Sequence, residues 1–147
     1  MKILFVCTGN TCRSPIAEFL LKDKLKKANV QDVEVSSCGV NVLDGEPLTP
    51  LTVEALKEIG IENASHTATI ITKESVINSD LIFTMSERQK NIVNNYNDVK
   101  KAICLKDMIG EEIVDPFGKD YSFYQKAVEL LDKATNLIMD KYVMGIK

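Results

Sequence analysis

The apolar run Ile3 to Val6 stops at Cys7, and the loop CTGNTCRS then leads straight into a helical pattern with Pro15 in its first turn. A short buried strand that passes through a polar, glycine-containing loop into an amphipathic helix is the opening of a β–α unit. A chain that repeats the unit is committed to a parallel sheet with helices on its faces. The unit does repeat. Further strand candidates are Val33 to Ser37, Leu81 to Met85 and Ala102 to Leu105. Between them, Ile16, Ala17, Leu20, Leu21, Leu25 and Ala28 follow helical spacing, and Pro15 suits a first turn, where its missing N–H is not needed. Thr49-Pro50 opens a second helix with Val53, Leu56 and Ile59 on one face and Gly60 closing it. Thr72 can cap a third, and Ser86-x-x-Gln89 is a capping-box pattern for a fourth. The last and longest helix carries Tyr124, Ala127, Val128, Leu131, Ala134, Leu137 and Ile138 as its buried stripe; Tyr121 and Tyr124 are assigned to packing. No repeat, low-complexity tract or linker interrupts residues 1–147, which predicts one α/β domain.

The remaining composition narrows the chemistry. With 147 residues and a net charge of −3, the chain lacks the basic stripe of a nucleic-acid binder. The lysines at 22, 24, 26 and 27 are expected on a solvated helix face. No apolar run approaches the roughly 20 residues of a membrane span, and the short N-terminal apolar run is not followed by a cleavage pattern, so a cytoplasmic location is expected. Four cysteines (Cys7, Cys12, Cys38, Cys104) are too few and too irregular for a disulfide framework. The single histidine, His66, is expected in a loop after the second helix and leaves little room for a metal site; a zinc site from Cys7, Cys12, Cys38 and His66 has no CxxC spacing.

Parallel sheets bind ligands at the carboxyl ends of their strands, and the first such end is Cys7. The loop after it fits neither GxxxxGK[ST] nor GxGxxG. It has a cysteine, five residues, then Arg13 and Ser14. A loop that wraps backbone N–H groups around a point and ends at a helix N-terminus is an anion cradle, in which Gly9 is expected to supply the left-handed turn. Arg13 adds a planar fork suited to two phosphoryl oxygens. The helix end and the guanidinium are expected to lower the Cys7 pKa, making a thiolate without a histidine base, and Ser14 can donate a hydrogen bond to that sulfur.

CTGNTCRSP, taken with Asp115-Pro116-Phe117, Ser37-Cys38-Gly39 and Ser79-Asp80-Leu81-Ile82-Phe83-Thr84-Met85, resembles the low-molecular-weight protein-tyrosine-phosphatase family over essentially the whole chain. The resemblance implies a four-stranded parallel sheet flanked by helices on both faces, with Rossmann-like or flavodoxin-like topology, and no cofactor. It implies Cys7 as nucleophile, Arg13 as phosphate clamp and Asp115 as general acid, with Ser14 stabilising the thiolate. Asn10 would hold the loop through its side chain, Thr8, Gly9, Thr11 and Cys12 would complete the phosphate-binding loop, and Phe117, beside the acid, would bind the substrate. Phosphorylated proteins would be the substrates and inorganic phosphate the product. The chemistry agrees: attack of a thiolate on phosphorus expels a poor leaving group that needs an acid, and Asp115, preceding proline, is extended and presentable from a loop.

Thr11 is the informative position. Tyrosine-specific relatives commonly carry a bulky aliphatic residue there, whereas the family's protein-arginine phosphatases resemble this chain in reading CTGNTCRSP. A hydroxyl suits a polar phosphoguanidinium better than an apolar wall does. The segment VNVLDGE also lacks an aromatic residue to stack on a substrate ring. Phosphoarginine is therefore the expected substrate, with phosphotyrosine as the alternative. Asp44 and Glu46 would suit a guanidinium but are assigned to solvated loop. An arsenate reductase is less compatible, because Leu81 to Lys90 holds no relay cysteine. A non-hydrolytic phosphate-binding module or a phosphocysteine carrier would not need Asp115. In the family a second loop cysteine can form a reversible disulfide with the nucleophile, which assigns Cys12 a redox role. Cys38 and Cys104 are assigned to the core.

Overall fold

The computed structural model describes residues 1–96 and 100–145. The elements follow one another as β1 (Lys2–Cys7), α1 (Arg13–Lys27), β2 (Glu34–Gly39), α2 (Pro50–Glu58), α3 (Lys73–Asn78), β3 (Leu81–Thr84), α4 (Glu87–Asn94), β4 (Ala102–Cys104), α5 (Leu105–Ile109) and α6 (Tyr121–Ile138). A π-helical turn, Met139–Val143, continues α6. The four strands form one parallel sheet in the order β2-β1-β3-β4.

β1 reads as an unbroken apolar run because both of its faces are covered. Ile3, Phe5 and Cys7 point into one core with α1, α5 and α6, while Leu4 and Val6 point into a second with Val76 of α3 and Val93 of α4. β3 repeats the alternation, Phe83 packing with the first core and Ile82 with the second. From β1 the chain winds out to β2, then crosses back to β3 on the other side. The reversal opens a crevice at the carboxyl end of β1, where sheets of this kind place their ligands. The loop after Cys7 lies there.

The sheet and its two helical layers match the expected α/β architecture, and several local details differ. β2 runs from Glu34 to Gly39 instead of Val33 to Ser37, because its register pairs Lys2 with Glu34 and Cys7 with Gly39. β4 stops at Cys104: Leu105 begins α5, a short helix the apolar pattern did not reveal, which ends at Gly110 in the left-handed region with φ 76°. The buried face of α2 is Thr52, Ala55 and Leu56; Val53 is only half-buried and Ile59 is exposed. α6 starts at Tyr121, with the Asp120 side chain accepting from the Ser122 N–H, and its stripe includes Leu130 and Thr135 while Leu137 is partly exposed. The caps follow the sequence: Thr49 accepts from Thr52, and both Thr72 with Ser75 and Ser86 with Gln89 close capping boxes. Cys38 and Cys104 are core residues. Lys22, Lys26 and Lys27 are exposed, while Lys24 ties α1 to Asp132 of α6 at 2.5 Å. No helix among the described residues is long and apolar enough to cross a membrane.

Candidate active site

The loop between β1 and α1 closes around the Cys7 sulfur. The Asn10 N–H donates to Sγ at 3.2 Å, and Ser14 Oγ lies 2.8 Å from it. Asn10 is the residue that turns the loop, with φ 58°, and Gly9 is not in the left-handed region; the expectation for Gly9 is corrected in favour of its neighbour. The reason lies in the asparagine side chain, which repays the strained backbone with hydrogen bonds no glycine could make. Asn10 is wholly buried. Its Nδ2 donates to Ser14 Oγ at 2.8 Å and to Ser37 Oγ at 3.0 Å, and its Oδ1 accepts from the Thr69 N–H and His66 Nε2, both at 2.9 Å.

These contacts fix the orientation of the Asn10 side chain beside the sulfur. The Thr69 N–H can only donate, so the Asn10 oxygen must face it and the Asn10 amide must face the two serines. Since Ser14 Oγ accepts from Asn10, its own proton is available to the Cys7 sulfur at 2.8 Å or to the Cys38 carbonyl at 3.4 Å. Ser37 likewise accepts from Asn10 and donates to Glu18 Oε1 at 2.6 Å. His66 must carry its proton on Nε2, and its Nδ1 lies 3.9 Å from the same Glu18 oxygen. Burial, with Lys22 nearby, lowers the His66 pKa despite Glu18, so the ring is held neutral.

Cys7 is only 3% exposed, and burial pushes its thiol pKa up; the Ser14 hydroxyl, the Arg13 charge and the amides of Ser14 and Asn10 act in the opposite direction. The expected lowering is thus corrected: around this buried sulfur, lost hydration outweighs the charge-stabilising groups. Burial also raises Cys38 to about 12, with Cys7 contributing. That thiol lies in the core on the opposite face of the sheet from Cys7 and Cys12.

Arg13 is buried at the start of α1. Its Nη1 donates to the Ile113 carbonyl at 3.0 Å and its Nη2 stands 3.7 Å from Asp115 Oδ2, so one guanidinium joins the cysteine loop to the Asp115 loop. Asp115 is half-exposed, and its Oδ1 accepts from the Phe117 N–H at 3.2 Å in a local turn that the Asp-Pro sequence favours. The Thr11 carbonyl accepts from the Thr52 hydroxyl at 3.1 Å and the Thr49 N–H at 3.4 Å, which seats the loop on the N-terminus of α2. Cys12 is a buried free thiol with Thr49 Oγ1 at 3.5 Å and Tyr124 Oη at 3.8 Å, which gives that tyrosine a polar contact beyond its packing. Gln89 Nε2 donates to Thr8 Oγ1 at 3.1 Å.

A cleft of about 370 Å³ brings together Cys7, Thr8, Gly9, Asn10, Thr11, Cys12, Arg13, Asp115 and Phe117, with Glu46 and Leu43 also in its wall. Ser14 stands behind the loop, against the sulfur. Sequence reasoning missed His66, Thr69, Glu18, Gln89 and the steric part played by Gly39. A Cβ on Gly39 would sit 2.4 Å from the Thr8 carbonyl oxygen and 3.1 Å from the Asn10 nitrogen, so β2 reaches the loop only as glycine. The Ser37-Cys38-Gly39 run was the signal for it, but nothing in the sequence near His66 marked its partner.

Known proteins share the sequence and fold of this chain. Residues 2–143 match the model of the family described as low molecular weight phosphotyrosine protein phosphatase. The chain is 37% identical over 134 residues to the low molecular weight protein-tyrosine-phosphatase PtpB of Staphylococcus haemolyticus, covering 89% of this chain and 92% of that one. It is 35% identical over 140 residues to the protein-arginine-phosphatase of Bacillus subtilis, covering 90% and 91%. Among solved structures it is similar to the YwlE arginine phosphatase in a cysteine-to-serine mutant whose active-site serine is phosphorylated, with a TM-score of 0.84, 32% identity, and coverage of 97% of this chain and 98% of that one. With a family match across nearly its whole length and a cysteine sulfur enclosed by the loop at the switch point of a parallel sheet, the chain belongs to the low molecular weight phosphotyrosine protein phosphatase family.

Proposed function

We propose that this protein dephosphorylates phosphoarginine on protein substrates through a phosphocysteine intermediate. The observation that carries the reading is Thr11 in the wall of the cleft that holds Cys7, Arg13 and Asp115, its carbonyl pinned by Thr49 and Thr52. The substrate phosphoryl group sits in the cradle, held by loop amides and Arg13. Cys7 passes its thiol proton to an oxygen of the bound phosphoryl dianion and attacks phosphorus as the thiolate; the S–P bond forms and the P–N bond breaks, while Asp115 gives its proton to the departing guanidine nitrogen. Water then attacks phosphorus, Asp115 takes a proton from it, and the S–P bond breaks to release inorganic phosphate. The Ser14 proton stabilises the thiolate before attack and as it leaves. Similarity to an arginine phosphatase that is phosphorylated at the active-site position supports Cys7 as the group that carries the phosphoryl intermediate. A nucleophilic thiol needs a reducing compartment, which supports work in the cytoplasm.

Phosphotyrosine is the second reading, favoured by Phe117, a residue 65% exposed in the cleft wall whose ring could cover an aryl group. Comparing kcat/KM on matched phosphoarginine and phosphotyrosine peptides separates the two. Thr11→Ile should lower the phosphoarginine to phosphotyrosine ratio by about tenfold, the scale of one misplaced polar contact; an unchanged ratio rejects the arginine reading.

A further inference from the structure

Among the described residues, the charged residues of the cleft wall are Arg13, Asp115 and Glu46. Arg13 is buried and already engaged with Ile113 and Asp115. Glu46 is exposed and makes no ion pair among the described residues. Its backbone is anchored on both sides: its N–H donates to the Leu43 carbonyl at 3.3 Å across the turn at Gly45, and its carbonyl accepts from the Ala68 N–H at 2.8 Å. Pro47 then pairs with Thr67. Asp44, two residues earlier on the same turn, is not part of the cleft wall.

A cleft that would receive a phosphate dianion thus has at its wall Glu46, whose backbone is anchored and whose carboxylate makes no ion pair among the described residues, and no free cation. That arrangement disfavours a bare phosphate ester and favours a substrate bringing its own positive charge, because the Coulomb term changes sign between the two. We propose that Glu46 is a specificity-determining residue whose carboxylate pairs with a cation on the phosphorylated substrate, either the guanidinium of phosphoarginine or a Lys or Arg beside the phosphorylated residue. This rests on the phosphatase reading of the cleft. It reassigns Glu46 from solvated loop to substrate contact and leaves Asp44 in solvent.

The test is steady-state kinetics of the full chain at low ionic strength. The substrates are p-nitrophenyl phosphate, Nα-acetyl-phosphoarginine amide, and phosphotyrosine peptides with Lys, Ala or Glu next to the phosphorylated residue. Glu46→Gln should lower the preference for cationic over neutral substrates by about 3- to 5-fold, the range of one exposed ion pair, mainly through KM. Glu46→Lys should invert the preference toward the Glu-flanked peptide, 0.5 M salt should erase it in the parent, and Asp44→Asn should leave it unchanged. Loss confined to the phosphoarginine amide identifies the guanidinium as the partner, and loss confined to the Lys-flanked peptide identifies the neighbour. Unaltered preferences in both Glu46 variants, or an equal shift in Asp44→Asn, overturn the proposal while hydrolysis itself persists. Absence of phosphate release by the parent from every substrate would instead reject the phosphatase reading beneath it.

Discussion

Asn10 Oδ1 lies 2.9 Å from His66 Nε2, a contact between residues 56 positions apart that completes the hydrogen bonding of the asparagine side chain. The same residue turns the backbone left-handed and points its N–H at Cys7. Asn10→Ala removes all four side-chain bonds and keeps the strained φ. We expect it to destabilise the fold by about 3 kcal/mol and to reduce activity more than a surface substitution of equal destabilisation would. Chemical denaturation alongside kcat/KM checks this, and a loss under 1 kcal/mol would show that the loop holds its shape without the side chain.

The neutral His66 ring makes stability depend on pH in a stated direction. Its pKa is lowered in the folded chain, so on acidification below about 6.5 the unfolded chain takes up a proton first and the folded state loses stability; above that pH the contribution is fully present. His66→Gln keeps a donor for Asn10 without the titration. Its melting temperature should fall less than that of the parent between pH 7 and pH 5.5. Parallel curves would mean that His66 is not held neutral.

Cys7→Ser should abolish turnover and leave the melting temperature within a few degrees, since the change replaces one small buried group that keeps Ser14 and Asn10 as neighbours. Asp115→Ala should slow phosphoarginine and alkyl phosphates by about 100-fold or more, with a much smaller effect on p-nitrophenyl phosphate, whose leaving group needs no proton. Equal losses on both classes would remove Asp115 from the acid role.

Gly39→Ala tests the close approach of β2 to the loop. The added Cβ meets the Thr8 carbonyl and the Asn10 backbone, neither of which can move without displacing the cradle. We expect a destabilisation of about 1–3 kcal/mol and a loss of phosphate affinity, measured by product inhibition, that exceeds that of a distant core substitution of the same cost. Unchanged phosphate inhibition would show that the loop accommodates the methyl group.

What the sequence alone determined is local or periodic. β1 and its loop, the caps at Thr49, Thr72 and Ser86, and the main stripe of α6 follow from spacings of two to four residues, because strand alternation, capping and helix faces act over those distances. The loop motif likewise placed Cys7, Arg13 and Ser14 on one short segment. Only the tertiary structure decided the rest. His66 and Thr69 reach Asn10 across 56 and 59 residues, Glu46 enters the cleft while Asp44 does not, and Asn10 rather than Gly9 makes the turn because distant donors reward its side chain. The direction of the Cys7 pKa belongs here too: the charges that stabilise a thiolate are written in the loop, but the burial that opposes them comes from the whole fold packed around the sulfur.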